Sequence, residues 1–67
     1  MSGKVKYVGS PTADFSTNTE YDIIQLTVNA GNVVAIVLDD NGALRNTDNL
    51  AGADWDVVEL YASAKVV

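Results

Sequence analysis

The residues of this chain whose types and spacing allow chemistry are few, and most of them are carboxylates. Nine Asp and Glu residues stand against four Lys and Arg residues, and the sequence holds no His and no Cys. His and Cys are among the most common general bases and nucleophiles of enzymes, so their lack argues against catalysis. It also removes thiolate ligands for zinc and every disulfide. We therefore expect a protein that is not an enzyme, that uses no cofactor and no metal ion, and that works by binding.

The densest polar group is the run Asp39-Asp40-Asn41-Gly42, which follows six consecutive apolar residues. One interpretation is a calcium site, but the run matches only a fragment of an EF-hand loop and lacks a glutamate near Leu50, where that loop would end. The other is a hairpin turn, in which Gly42 adopts a positive φ and the Asp39 carboxylate accepts hydrogen bonds from turn amides. We favour the turn.

Trp55, the single tryptophan, also has two interpretations. An exposed tryptophan serves as a ligand platform in domains that bind proline-rich peptides, but such a groove needs several further aromatic residues on the surface. Because Trp55 alternates with Val57, a core position is favoured. Phe15 is the one large apolar residue in the polar segment 9–19, and we expect it to anchor that loop in the core.

Period-two alternation and turn residues predict the elements that position these side chains. Five strands are expected, at residues 3–8, 21–28, 33–38, 43–46 and 55–61. The phase of the second strand changes near Ile23, which predicts a β-bulge, and Leu44 is expected to point inward from the short fourth strand. Short strands in a chain of this length predict an all-β fold, a small five-stranded barrel made of one domain, residues 1–67.

Four segments together resemble a group of small SH3-like barrel proteins of bacteria and their phages. The shared pattern is a Val-Lys-Tyr-Val-Gly start, a Tyr-Asp-Val strand, an Asp-Asp-Ser-Gly hairpin and an aromatic-x-Val-Val-Glu end, found here at residues 5–9, 21–23, 39–42 and 55–59. The chain departs from that group at Leu44-Arg45-Asn46, where tyrosines often stand, so an aromatic ligand groove is not implied. The resemblance implies an SH3-like barrel and an accessory protein of phage or prophage origin.

The third predicted strand is apolar on both of its faces, more than a small core can enclose. The side expected to face the core consists of Val34, Ile36 and Leu38. The opposite side consists of Val33, Ala35 and Val37, and we hypothesise that these three residues bind a protein partner or a second copy of the chain. The alternative is a structural subunit of a homo-oligomer, in which the same face is the assembly surface.

The formal net charge of −5 disfavours binding to the phosphate backbone of nucleic acids. A nucleic-acid-binding barrel would need its four cations to converge on one patch, namely Lys4, Lys6, Arg45 and Lys65. No apolar run approaches the roughly 20 residues of a membrane span, and the first residues lack the apolar region of a secretion signal. We expect a cytoplasmic protein that does not bind membranes.

Overall fold

The computed structural model describes residues 2–67, which form five strands in one antiparallel sheet. The strands are β1 (Gly3–Tyr7), β2 (Thr19–Asn29), β3 (Asn32–Leu38), β4 (Leu44–Asn46) and β5 (Trp55–Leu60). Their order is β4-β3-β2-β1-β5, so β4 and β5 are the two edges, and the sheet is not closed. The predicted all-β class is confirmed. Residues 2–67 contain no helix that is long and apolar enough to cross a membrane.

β1 alternates as its sequence predicts. Val5 and Tyr7 are buried, whereas Lys4 and Lys6 are only half-buried. Successive side chains of a strand point to opposite faces, so the two lysines lie on the outer face of the sheet. β1 lies between β2 and β5, and its inner face is therefore central to the core.

The pairing of β1 with β5 contains a bulge, because β5 has one extra residue, Val58, across a register shift. Gly3 approaches β5 very closely beside this bulge. Its φ is +151°, and a Cβ atom built on it would lie 2.0 Å from the carbonyl oxygen of Glu59. A residue without a side chain is required here, since no larger residue could occupy that space.

The predicted bulge in β2 is confirmed. The register between β2 and β3 shifts between Ile23 and Gln25, so Ile23 faces the core before the shift and Leu26 faces it afterwards. A bulge bends its strand. β2 accordingly serves two neighbours, pairing with β1 through residues 19–23 and with β3 through residues 23–29.

The predicted faces of β3 are wrong. Ala35 and Val37, expected on an outer binding face, are completely buried, and Val33 is 39% exposed. Of the set expected to face the core, Val34 is buried, Ile36 is half-buried and Leu38 is 44% exposed.

The pairing with β2 explains this reversal. Residues opposite one another in an antiparallel ladder point to the same face. β2 presents Ile23 and Leu26 to the core, and their partners on β3 are Val37 and Ala35. Since six consecutive residues of β3 are apolar, its sequence contains no alternation from which this phase could be read.

The turn between β3 and β4 is confirmed in detail. Gly42 has a φ of +77°, and the Asp39 carboxylate accepts hydrogen bonds from the amides of Asn41 and Ala43, both at 2.9 Å. The Asp39 carbonyl also accepts a hydrogen bond from the Gly42 amide, at 3.0 Å. The run of polar residues thus forms a hairpin turn, as its composition predicts.

The prediction that Leu44 points inward is wrong, since Leu44 is 63% exposed. It lies opposite Leu38 on β3, and that position belongs to the outer face. After β4 the chain continues beside β3, where the Thr47 amide bonds to the Ala35 carbonyl and the Leu50 amide to the Val33 carbonyl. Leu50, rather than Leu44, therefore adds its side chain to the core.

Candidate functional site

One end of the sheet, which we call the closed end, is sealed by four aromatic rings. These are Tyr7, Phe15, Tyr21 and Trp55, whose ring centroids lie 5.0 to 6.1 Å apart, mostly edge to face. Phe15 anchors the long loop between β1 and β2 to this cluster, as predicted. Trp55 is 3% exposed, which confirms its core position. The Trp55 Nε1 atom has no hydrogen-bond partner among residues 2–67.

The Asp39 turn reinforces the closed end electrostatically. The Oδ2 atom of Asp39 accepts a hydrogen bond from Arg45 Nε at 3.0 Å, and Arg45 also lies 3.8 Å from Asp14 of the long loop. The Ala43 amide, together with Arg45 and the Asn41 amide, holds the pKa of Asp39 below its ordinary value, against the opposing effect of burial. Asp39 is therefore charged, and both of its carboxylate oxygens bond to groups that stabilise the turn.

Tyr21 ties the same turn to the long loop. Its hydroxyl donates to Asp40 Oδ1 and accepts from the Ser16 amide, each at 2.8 Å. Burial and the negative charge of Asp40 raise the pKa of Tyr21. Burial likewise raises the pKa of Tyr7, with smaller contributions from Asp54 and Asp48. Both rings stay neutral at physiological pH and act as hydrogen-bonding core residues.

The chemistry-bearing residues of the closed end have structural partners. Both carboxylate oxygens of Asp39 are occupied by amides and by Arg45, and Asp40 bonds to Tyr21 and Ser16. Within residues 2–67, no three metal-ligating side chains are grouped as a metal ion would require. These hydrogen bonds and the ion pair with Arg45 hold the loops of the closed end in place.

The opposite end of the sheet, which we call the open end, contains an apolar groove of about 620 Å³. Its polar rim comes from the β2–β3 turn and the loop around Asn49. Its apolar lining comes from five parts of the chain, and the residues are Leu26, Val33, Leu50, Val57, Leu60 and Val66. We refer to this feature as the open-end groove.

The groove exists because the inner face of the sheet extends beyond what covers it. Val57 lies opposite the buried Val5, and Leu60 opposite the buried Gly3, so both belong to the inner face. They are nevertheless 45% and 54% exposed, whereas at the closed end Phe15 packs against the core cluster. The buried Leu26 and Leu50 form the floor.

Of the three residues predicted to bind a partner, the structure places only Val33 at this groove. Ala35 and Val37 have no accessible surface to offer to a partner. The sequence analysis missed Val57 and Leu60 as surface residues. Alternation with Trp55 signals the inner face correctly for Val57, but Leu60 reaches that face only through the bulge at Val58. No sequence pattern shows where the cover over that face ends.

Val66, the other missed residue, reaches the groove through the final segment of the chain. A parallel bridge joins it to Leu26, and the Val67 amide donates to the Leu26 carbonyl at 2.9 Å. A turn closed by a hydrogen bond from the Ala64 amide to the Tyr61 carbonyl precedes this contact, and the segment then runs in the same direction as β2. The segment therefore occupies one side of the groove as a short extended strand.

The four cations do not converge. The register places Lys4 between Asp22 and Glu59, and Lys6 between Glu20 and Asp56, on the outer face of the sheet. Arg45 is paired with Asp39 on the closed end, and Lys65 lies in the last segment. Each lysine of β1 thus has an acidic residue opposite it on both neighbouring strands, which lowers the net positive charge of that part of the sheet.

Comparison with known proteins gives no relative: no family model, no curated protein and no solved structure matches the chain.

Proposed function

We propose that the protein is a small, non-catalytic interaction module that binds an apolar segment of a protein partner in the open-end groove. The observation that carries this proposal is the exposed continuation of the inner face, where Val33, Val57, Leu60 and Val66 surround a groove of about 620 Å³. Apolar concavities of this size on small proteins are typical binding sites. The leading hypothesis from the sequence is kept, with its surface moved from the outer face of β3 to this groove.

Two features support binding rather than catalysis or nucleic-acid recognition. The chain contains no His and no Cys. The carboxylate of Asp39, whose pKa is lowered, is hydrogen-bonded within the β3–β4 hairpin. Lys4 and Lys6 each lie between carboxylates, so they do not form the basic patch that phosphate backbones require. A protein segment is the partner that an apolar groove in an acidic chain accommodates most readily.

The proposed fold is an SH3-like barrel that is open along one side, and the proposed context is that of a phage-derived accessory protein. Five antiparallel strands, a bulged and extended β2 and a long β1–β2 loop support the fold. The resemblance of residues 5–9, 21–23, 39–42 and 55–59 to small barrel proteins of bacteria and phages supports the context.

A peptide-library selection on the folded protein tests the proposal. We expect enrichment of apolar peptides that bind saturably and lose at least about tenfold in affinity on Leu60→Asp, because a bound apolar segment would cover the carboxylate without pairing it. The matched control is Leu44→Asp, an equally exposed leucine outside the groove, which should leave binding unchanged. Absence of enriched peptides, or equal binding by both variants, would contradict the proposal.

A second candidate, the structural subunit of a homo-oligomer, is favoured by one observation. β5 is an edge strand with β1 on one side and no strand on the other among the described residues, and it exposes Val58 on the outer face. Unpaired edges template pairing with another chain. Sedimentation equilibrium would support this candidate if the wild type had a mass above that of the monomer. The variant Val58→Lys should then have the mass of the monomer.

A further inference from the structure

The open-end groove is bordered by the backbone edge of a strand as well as by apolar side chains. β1 pairs with β2 only through Thr19 to Ile23, so the edge of β2 that faces β1 is free of strand neighbours after the bulge. Leu26 and Val28 have the same orientation in the ladder, and their backbone groups therefore point toward this free edge. Among residues 2–67, the final segment is the part that reaches it, by the bridge at Leu26.

The final segment is held there weakly. Its contact with β2 consists of the parallel bridge between Val66 and Leu26 and the hydrogen bond from the Val67 amide. Val66 remains 50% exposed and Val67 is 74% exposed. Few buried apolar contacts and exposed hydrogen bonds mark segments that open at low free energy.

The chemistry of this segment differs from that of the rest of the chain. Residues 62–67 carry one lysine and no acidic side chain, whereas residues 1–61 carry nine acidic and three basic side chains. A segment with a basic side chain followed by two β-branched residues thus lies against the edge of an acidic body. The charges of the two parts are complementary.

We propose that the free edge of β2 and the open-end groove together form a strand-acceptor site. The occupant is an extended partner segment in which a basic residue precedes β-branched aliphatic residues, and it binds parallel to β2. Residues 64–67 occupy the site in cis, and the partner segment replaces them. This inference rests on the proposed function and specifies its partner.

Each part of the site has a defined task. The Leu26 carbonyl accepts the amide that Val67 now supplies, and the Val28 backbone extends the ladder by one further pair. The groove receives the β-branched side chain at the position of Val66. The acidic body favours the lysine that precedes it. Main-chain bonds supply affinity, and the groove and charge supply specificity.

The test uses the full-length chain, the variant Val66→Asp and a synthetic peptide with the sequence of residues 63–67, Ser-Ala-Lys-Val-Val. Val66→Asp displaces the cis segment, whose effective concentration in the wild type is on the order of millimolar. We expect saturable amide shifts at Leu26 and Val28 on peptide titration, with an affinity about tenfold higher for the variant than for the wild type. The Lys65→Glu peptide should bind more weakly.

A second variant guards against an effect of the new carboxylate on folding. Val67→Pro removes the amide that bonds to the Leu26 carbonyl while leaving the Val66 side chain in place, and it should also raise the affinity for the peptide. Unchanged Trp55 fluorescence in both variants would show that the closed end is intact.

Four results would overturn the inference. No saturable shift in any variant excludes the acceptor site, and equal binding of the two peptides excludes the preference for a basic segment. A dimeric mass for Val66→Asp or Val67→Pro assigns the site to the tail of a second copy. Shifts at Val57 and Leu60 without shifts at Leu26 and Val28 would retain the proposed groove function and reject strand addition, so the two failures are distinguishable.

Discussion

The closed end and the open end belong to the same sheet, yet its inner face is covered at the closed end and partly exposed at the open end. At the closed end four rings and the Phe15 loop lie over the sheet, and the hydrogen bonds that Asp40 accepts from Ser16 and Tyr21 fasten that loop to the β3–β4 turn. At the open end Val57 and Leu60 continue the same inner face with half of their surface exposed. A single core cluster thus ends in a well-anchored region on one side and in a groove on the other.

This difference indicates that the residues that stabilise the fold and those of the proposed binding groove are separated along the strands. Burial and satisfied polar groups at the closed end stabilise the fold, so the open end is free to expose apolar surface that does little for folding. Residues of the two ends should therefore respond differently to substitution. Three predictions test this separation.

The largest expected effect comes from a pair of truncations. Ile23→Ala removes a fully buried side chain from the core and should lower the free energy of unfolding by about 3 kcal/mol. Leu60→Ala, at the open-end groove, should lower it by less than about 0.5 kcal/mol, because that side chain is already half exposed. Urea unfolding followed by Trp55 fluorescence measures both. Similar losses for the two variants would break the comparison.

A smaller effect is expected from acid at the closed end. The pKa of Asp39 is lowered in the folded chain, so its contribution to stability is fully present above the ordinary pKa of an aspartate. That contribution is lost as the pH falls through the folded-state pKa. Asp39→Asn should therefore be less stable than the wild type at pH 7, and the difference should shrink toward pH 2, as measured by thermal unfolding across this range.

Asp14→Asn is the matched control for this pH dependence. Asp14 is the second carboxylate beside Arg45, but it lies at 3.8 Å, whereas Asp39 lies at 3.0 Å and also binds two turn amides. We expect Asp14→Asn to lose much less stability than Asp39→Asn at pH 7. If the two variants lost the same amount, the turn would not depend on Asp39.

The smallest effect is a gain at the open end. Ala30 has a φ of +52° in the turn between β2 and β3, where the following residue, Gly31, also has a positive φ. Alanine is strained in this conformation, and asparagine tolerates it. Ala30→Asn should raise the free energy of unfolding by about 0.5 kcal/mol. Ala13→Asn, in an exposed loop without a positive φ, should change nothing; an equal gain there would remove the explanation.

Local chemistry made the closed end readable from the sequence. The Asp39 turn, the bulge after Ile23 and the anchoring role of Phe15 depend on residue types within a few positions of one another. Trp55 could be assigned to the core because Trp55 and Val57 flank the polar Asp56, which is the alternation of a half-buried strand. These features follow from turn propensities and period-two alternation, which act within a single strand or loop.

By itself, then, the amino-acid sequence determined the all-β class, the approximate strands, the β3–β4 turn and the lack of the usual catalytic residues. The tertiary structure alone decided that Ala35 and Val37 face inward, that Leu44 faces solvent, and that the groove forms around Leu60. The physical reason is that an entirely apolar strand takes its phase from the partner across the ladder. The extent of the cover over the inner face likewise depends on loops and rings that come from distant parts of the chain.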